Sequence, residues 1–226
     1  MPKVTSVEKQ KKNPKRFNIF LDGQFAFGAD EDLVVNFRLI VGKEIKSEDL
    51  NKLLFESEAG KLIDRVYSLL GVRQRSEKEI RDYLKTLSFK RKVKGNEEIS
   101  ELVVENLIEK LKSKDLINDQ NFAKAWVDAR RRSKSKGKIA LKQELFQKGI
   151  DREIIEEVLS DEFRVHSSEL SEEQLAKQAL EKKLKSFSNL PYLEAKKKAF
   201  GFLVRRGFEY SVIKEVVEKL IKKEYY

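Results

Sequence analysis

The sequence has no cysteine and only one histidine, His166, among its 226 residues. A chain without cysteine forms neither disulfides nor thiolate zinc sites. His166 lies in a polar segment between helical patterns, where a histidine is far more often a surface residue than a general base. The sequence also lacks a GxxxxGK[ST] loop and a GxGxxG motif after a strand. We therefore predict that the protein is not an enzyme and that it has no catalytic, cofactor-binding or metal-binding residues.

Long apolar runs are missing as well. No run approaches the roughly 18 apolar residues that a membrane span needs, and the N-terminus has no apolar signal region. These absences predict a cytoplasmic protein without membrane contacts. Proline is scarce, with 3 residues, while 38% of the chain is charged and 40% is hydrophobic. Such a composition favours long, solvent-exposed helices over a β-sandwich or a doubly wound sheet.

The first 30 residues have the pattern of a small antiparallel sheet. Phe17, Ile19 and Leu21 alternate with polar neighbours, as residues of a half-buried strand do. The dipeptide Asp22-Gly23 follows directly, is a strong signal for a two-residue hairpin turn, and is succeeded by a second strand pattern. We predict two or three strands here. The basic segment 9–16 between them is either a solvated loop or a polyanion contact, and we give the two interpretations equal weight.

From residue 47 onward the periodicity is helical. Ser47 is expected to cap a long helix that ends at Gly71, and the segment 89–95 is interpreted as a basic insertion between two later helices. Ser76 and Ser171 each open an S-x-x-E or S-x-x-Q capping box, which marks the start of a helix. One helix is predicted to bury these residues: Leu102, Val103, Leu107, Ile108 and Leu111.

The helical part of the chain repeats itself. Residues 145–150 (LFQKGI) match residues 203–208 (LVRRGF), which lie 58 positions further on. In the helix that follows, apolar residues fall on apolar residues at the same separation: Ile154, Ile155, Val158 and Leu159 on Val212, Ile213, Val216 and Val217. Ile80 and Leu84 likewise match Leu141 and Leu145 at a separation of 61. Helices this short are unstable alone, so the repeat predicts three-helix modules that pack internally.

These patterns predict a mainly α fold with tandem three-helix modules in three repeats and a small N-terminal antiparallel β element. The expected domains are an N-terminal extension of β-hairpin and short helix (1–46), a first module with a long leading helix (47–117), a second module (118–162) and a third module (163–226).

Positive charge is concentrated in the second module. The net charge is +10, and eight lysines or arginines but only one acid, Glu144, lie between Arg130 and Lys148. Such a cluster favours a polyanion or an acidic protein groove as partner, and arginine binds phosphate and carboxylate better than lysine does. We interpret this run, rather than mere solvation, as the main contact surface. The candidate contact residues are Arg130, Arg131, Arg132, Lys134, Lys136, Lys138, Lys142, Lys148, Arg73 and Arg75.

Other basic patches are weaker candidates, because charge on a helix often serves only to keep it soluble. These secondary residues are Lys90, Arg91, Lys92, Lys94, Lys196, Lys197, Arg205 and Arg206. Trp126 has two interpretations. It shares a helical face with Phe122, which favours a place in the core together with Leu141 and Leu145, and the alternative of stacking on nucleic-acid bases has less weight.

The arrangement of these residues resembles the RecX family, regulators of the RecA recombinase. The matching segments are 75–80 (RSEKEI) with Tyr83-Leu84, 116–119 (LIND) with Phe122-Ala123, Trp126-Val127 and Arg130, and Lys136-Gly137 through Leu141, Leu145 and 148–150 (KGI). The resemblance covers roughly residues 58–225. The second module is its most specific part, and the N-terminal strands resemble the extension of longer members.

The resemblance implies tandem three-helix modules in an elongated, curved monomer. It also implies binding in the groove of the RecA–DNA filament across neighbouring protomers, which would hinder ATP hydrolysis, strand exchange and filament growth. DNA repair, homologous recombination and the SOS response are the expected context. A second class stays open, in which the protein binds single- or double-stranded DNA on its own without a recombinase partner.

Overall fold

The computed structural model describes residues 1–11, 13–160 and 170–225, and it divides into two compact units. The first unit contains residues 1–74 and 80–117, and the second contains residues 75–79 together with the chain from residue 118 onward. His166 and the segment 161–169 lie outside the described residues. Within the described ranges, no helix combines the length and the apolar character that crossing a membrane would require.

The first unit begins with an antiparallel sheet whose strands follow one another in chain order. Its strands are β1 (Val4–Lys9), β2 (Arg16–Leu21) and β3 (Gln24–Asp30). Leu21 pairs with Gln24 across a two-residue turn in which Asp22 and Gly23 both have positive φ, at 48° and 82°. This is the backbone that a tight hairpin requires and that Asp-Gly tolerates. The predicted N-terminal β element is confirmed.

A short helix, α1 (Glu31–Asn36), covers the sheet. Asp30 caps it, because its Oδ1 accepts a hydrogen bond from Leu33 N at 2.8 Å. The core of this part contains Ile19, Leu39 and Ile45, all of them buried. The alternation of apolar and polar residues therefore puts one face of the sheet in contact with the helices of this unit.

Three longer helices complete the first unit: α2 (Ser47–Leu70), α3 (Glu77–Val93, of which residues 80–93 belong here) and α4 (Glu101–Ser113). Three details of the sequence interpretation are wrong. Ser47 is the first helical residue rather than the cap. The segment 89–95 is no separate insertion, because α3 continues through Val93. Leu102 is 71% exposed, because it points away from the core that buries Val103 and Leu107.

In residues 118–160 and 170–225, the second unit has six further helices: α5 (Asp119–Lys134), α6 (Lys138–Gln147), α7 (Arg152–Val158), α8 (Glu172–Leu184), α9 (Tyr192–Arg206) and α10 (Tyr210–Tyr225). One hydrophobic core lies among α5, α6 and α7, and a second lies among α8, α9 and α10. Ser171 caps α8 in a complete capping box with Gln174, as its sequence predicts.

Residues that match in the sequence repeat have the same environment in the structure. Leu145 and Leu203 are both fully buried, and Gly149 and Gly207 both adopt a left-handed backbone, with φ of 78° and 79°. Phe146 is 73% exposed, and Val204 at the matching position is 51% exposed, so this apolar position faces outward in both repeats. The prediction of a mainly helical fold built from three-helix modules is confirmed.

Candidate functional site

The basic run from Arg130 to Lys148 does not form one continuous surface. It begins in the last turns of α5, passes through a turn in which Ser135 has a left-handed backbone, and continues along α6. The turn reverses the chain, so that the basic side chains point in several directions. Which of them a partner could reach depends on their individual contacts.

Trp126 is at the centre of one group of contacts. Its ring is half-buried, stacks on Phe122 at 5.6 Å between centroids, and packs against the core of the second module. The cations of Arg130 and Lys148 lie 4.3 and 5.0 Å from the ring centroid, close enough for cation–π attraction. The core interpretation of Trp126 therefore describes the ring better than base stacking does, because protein groups already surround it.

Glu144 neutralises this group. Its carboxylate accepts hydrogen bonds from Trp126 Nε1 at 2.8 Å and Arg130 Nε at 2.9 Å, and it forms an ion pair with Lys136. Burial raises the pKa of Glu144, but the hydrogen bonds from Lys136 and Trp126 and the charge of Arg130 lower it, and the pKa is below its ordinary value overall. The one acid of the basic run thus holds two of the eight cations. We call Trp126, Arg130, Glu144 and Lys148 the tryptophan face.

Other predicted contact residues are also engaged with acids. Lys142 pairs with Glu156, and Lys148 Nζ lies 2.5 Å from Glu79 Oε1. Arg132 is exposed and its Nε donates to Asp128 O within its own helix. Lys138 is half-buried at the start of α6.

Arg131 corrects the sequence interpretation. We expected it to be exposed beside Arg130 and Arg132, but it is only 4% exposed, and its Nη2 lies 3.9 Å from Glu172 Oε1. Successive residues of a helix point about 100° apart, and Arg131 is the one of the three that points into the module. A partner cannot contact it without a rearrangement.

The remaining candidates are scattered. Arg73 is exposed and donates to Gln74 O, and Arg75 is half-buried. In the patch at the end of α3, Arg91 pairs with Glu58, Lys92 pairs with Glu98, and Lys90 and Lys94 are exposed. On α9, Lys196 lies 4.0 Å from Glu218, and Lys197 is exposed.

The second unit contains two contacts of similar design between successive modules. In the first, Ser76 Oγ donates to Lys148 O at 2.7 Å, and Asp119 Oδ1 accepts from Glu77 N at 2.9 Å. The start of α3 is thereby fixed to the end of α6 and the start of α5. A serine side chain and a first-turn acid satisfy groups at helix ends that would otherwise lack partners.

In the second contact, a backbone N–H takes the place of the serine hydroxyl as the hydrogen-bond donor. Gly137 N donates to Arg206 O and Ile139 N to Gly207 O, both at 2.9 Å, and Glu172 Oε2 accepts from Lys138 N at 3.3 Å. We call the contact of residues 137–139 with residues 206–207 the joint. The two backbone segments approach so closely that a Cβ on Gly207 would lie 2.3 Å from Ala140 N. Lys148 and Arg206 are matching residues of the repeat, so matching carbonyls accept in both contacts.

Beside the joint is a cleft of about 430 Å³, lined by Lys134, Lys136, Phe202, Arg205 and Arg206. We call it the joint cleft. It unites two residues of the predicted main surface with two of a predicted secondary patch, and the two pairs are about 70 positions apart in the chain. Sequence analysis did not select Phe202, although the repeat contains a signal: Phe202 occupies the position that matches Glu144.

Comparison with known proteins gives consistent matches along the chain. Family models match for "RecX, second three-helix domain" at residues 118–159, for "RecX, third three-helix domain" at residues 171–217 and for "Regulatory protein RecX N-terminal domain" at residues 2–46. Regulatory protein RecX of Bacillus subtilis is 36% identical over 97% of this chain and 78% of its own length. The protein of that name from Listeria innocua is 30% identical over 94% of this chain and 73% of its own length.

Solved structures agree. A crystal structure of regulatory protein RecX superposes with a TM-score of 0.72 at 27% identity, covering 99% of this chain and 100% of the other. The crystal structure of RecX from Lactobacillus salivarius gives a TM-score of 0.57 at 27% identity, covering 72% of this chain and 96% of the other.

Proposed function

Since the chain belongs to the RecX family of regulatory proteins, we propose that it binds in the groove of the RecA–DNA filament. By spanning neighbouring protomers it would inhibit ATP hydrolysis, strand exchange and filament growth. The observation that carries the proposal is the match to regulatory protein RecX along 97% of the chain. The protein acts as a regulator and not as a catalyst in this proposal, and its place of action is the cytoplasm.

The basic surface of the second unit supports a partner that carries negative charge. A net charge of +10 speeds association with anions without deciding the fold. Cations of both the second and the third module are exposed, among them Arg132, Lys134, Lys197 and Arg205. A DNA–protein filament presents both phosphates and carboxylates.

The tandem modules support a partner with repeated sites. We propose module boundaries near residues 47, 118 and 163, so that most of the chain consists of similar units. Several weak contacts on one body raise affinity through effective concentration, but only where the partner presents sites at matching spacing. The joint holds the second and third modules together by backbone hydrogen bonds, which keeps their spacing fixed. A recombinase filament is periodic, whereas free DNA matches such spacing only loosely.

The proposal is tested by comparing the filament with its components. The affinity of the full-length protein is measured for RecA assembled on single-stranded DNA with a slowly hydrolysed ATP analogue, for the same DNA alone and for RecA alone. We expect the filament to bind much more tightly than either component, and we expect the DNA-dependent ATPase of RecA to fall as the protein is added.

Equal affinity for bare DNA and for the filament, with no effect on the ATPase beyond competition for DNA, would contradict the proposal. That outcome would favour the alternative of a DNA-binding protein without a recombinase partner. The salt dependence separates the two, because binding driven by phosphates weakens steeply with salt, with a log–log slope of about −0.7 per neutralised phosphate on a single strand.

A further inference from the structure

We propose that the joint cleft binds the phosphates of a single-stranded polynucleotide. The inference deepens the proposed function and rests on it only for the statement that this strand belongs to a filament. The site itself follows from the structure, in which cations of two modules lie close together. No single segment of the sequence contains all of these cations.

Three helices end at the joint cleft or at the opening beside it. Lys134 is the last residue of α5, and Arg205 and Arg206 are in the last turn of α9. A second opening of about 290 Å³ shares Lys134, Phe202 and Arg206 with the first and extends to Lys182 and Lys183 in the last turn of α8. The two openings therefore adjoin each other at the boundary of the second and third modules, and we call them together the basic channel.

Most cations of this channel are not neutralised by an acid of the protein within the described residues. Among residues 1–11, 13–160 and 170–225, neither opening is lined by an aspartate or glutamate. Lys136 pairs with Glu144, but over the same ranges Lys134, Lys182, Lys183 and Arg205 have no acidic partner. Cations at helix C-termini also interact favourably with the helix dipole. That effect explains why each helix has a basic residue at its C-terminus, but it does not explain why the C-termini of three helices lie close together.

The lining combines cations, which bind phosphates, with an aromatic ring. Arg205 and Arg206 can each donate two hydrogen bonds to one phosphate, and lysines add charge without strict geometry. Phe202 provides an apolar wall of a kind that bases and sugars contact in single-strand binding grooves. Arg206 lies over this ring at 4.8 Å, so that cation and ring are positioned together.

The joint makes this site rigid. Its walls are connected by the backbone hydrogen bonds from Gly137 to Arg206 and from Ile139 to Gly207, so the cations of the two modules are held in place before a ligand arrives. A preorganised site loses less entropy on binding than one that must assemble.

The test measures binding of the full-length protein to a fluorescein-labelled oligo(dT) of 15 nucleotides at 0.1 M salt. The joint variant combines Lys134→Gln, Arg205→Gln and Arg206→Gln, which removes three charges and keeps long side chains. The control variant combines Lys177→Gln, Lys214→Gln and Lys219→Gln, which are exposed residues of the third module outside the cleft. Both variants reduce the formal charge from +10 by the same amount.

We expect the joint variant to lose about thirtyfold to a hundredfold in affinity, since three neutralised phosphates each contribute a slope of about 0.7. The control variant should remain within about threefold of the wild type. Equal losses in the two variants would overturn the site, because they would show that only net charge matters. If the joint variant fails to fold by circular dichroism, Lys134→Gln and Arg205→Gln are tested singly, and each is expected to weaken binding about fivefold.

Competitors identify the ligand class. Unlabelled oligo(dT) should displace the probe at lower concentration than a duplex of the same length or poly-L-glutamate at equal charge. Displacement by poly-L-glutamate as effective as by oligo(dT) would overturn the phosphate assignment in favour of an acidic protein segment. Equal displacement by the duplex would overturn the single-strand assignment. The assay contains no RecA. The proposal of a phosphate site and the proposal of filament binding are therefore tested independently, and either can be contradicted without the other.

Discussion

The tryptophan face and the joint cleft both contain basic residues, two on the face and four in the cleft, but they differ in what surrounds them. On the tryptophan face, Arg130 is bound by Glu144 and Lys148 by Glu79. In the joint cleft, Phe202 stands at the repeat position of Glu144, and Lys134 and Arg205 have no acidic partner within the described ranges. The cations of the tryptophan face are thus balanced by acids, whereas cations of the joint cleft remain available to a ligand.

The comparison shows that the density of charge along a sequence does not indicate which cations lack an acidic partner. A cation bound to a half-buried carboxylate must lose that partner before it can bind a phosphate, and this loss offsets most of the gain. A cation without a partner loses only water. Of the basic residues in the second unit, those at the joint are therefore the better candidates.

The largest effect is expected where the joint itself is broken. Gly207→Ala places a Cβ at 2.3 Å from Ala140 N on a backbone with φ of 79°, and we expect a loss of about 3–5 kcal/mol from strain and overlap together. Thermal unfolding followed by circular dichroism measures it. Gly201→Ala on the same helix is the matched control, since its Cβ meets only the end of the Arg205 side chain at 3.4 Å. It should leave stability unchanged or raise it by up to about 1 kcal/mol, and a loss like that of Gly207→Ala would contradict the close contact at the joint.

A smaller effect is expected on the tryptophan face. Trp126→Ala removes a half-buried ring that packs on Phe122 and on two cations, so we expect a loss of about 2–3 kcal/mol, below the range for a fully buried tryptophan. Urea denaturation measures it. Phe146→Ala is the control, because this aromatic residue of the same module is 73% exposed and should change stability by no more than about 0.5 kcal/mol. Equal stability of the two variants would revive base stacking as the role of Trp126.

Glu144→Gln separates charge from shape on that face. The amide keeps an acceptor for Trp126 but loses the ion pairs with Arg130 and Lys136, and we expect a loss of about 1–2 kcal/mol near neutral pH. Because the pKa of Glu144 is lowered in the folded state, its stabilisation is present above the unfolded pKa of about 4.3 and is lost as the pH falls through the folded value. The difference in stability between wild type and variant should therefore be constant from pH 6 to 8 and shrink below about pH 4. A difference that does not change with pH would show that the charge of Glu144 contributes nothing.

Sequence alone predicted the elements that depend on local rules. The hairpin at Asp22-Gly23, the capping box at Ser171 and the repeat of Leu145 on Leu203 follow from turn geometry, capping and periodicity, and each is confirmed. The same rules failed where two sides of a helix are both apolar. Leu102 and Phe146 are exposed, and only the packing of neighbouring helices decides which apolar residue is buried.

The candidate site was less accessible to sequence analysis, because its residues are distant in the chain. Nothing near Lys134 indicates that Arg205 lies in the same cleft, and nothing in the run 130–132 shows that Arg131 is the buried member. These facts depend on the joint, where two glycines permit a backbone approach that the sequence does not reveal. The ion pairs of Lys142 and Lys148 depend in the same way on acids from other helices.

The most direct test of this account is the salt dependence of oligo(dT) binding in two variants of equal charge. The paired variant combines Arg130→Gln, Lys142→Gln and Lys148→Gln, all of which have acidic partners, and the joint variant is the one defined above. We predict that the log–log slope of the paired variant stays within about 0.5 of the wild-type value, while that of the joint variant becomes shallower by about 2, the contribution of three phosphates. A slope lost in the paired variant and kept in the joint variant would contradict the account and return the contact surface to the basic run of the sequence.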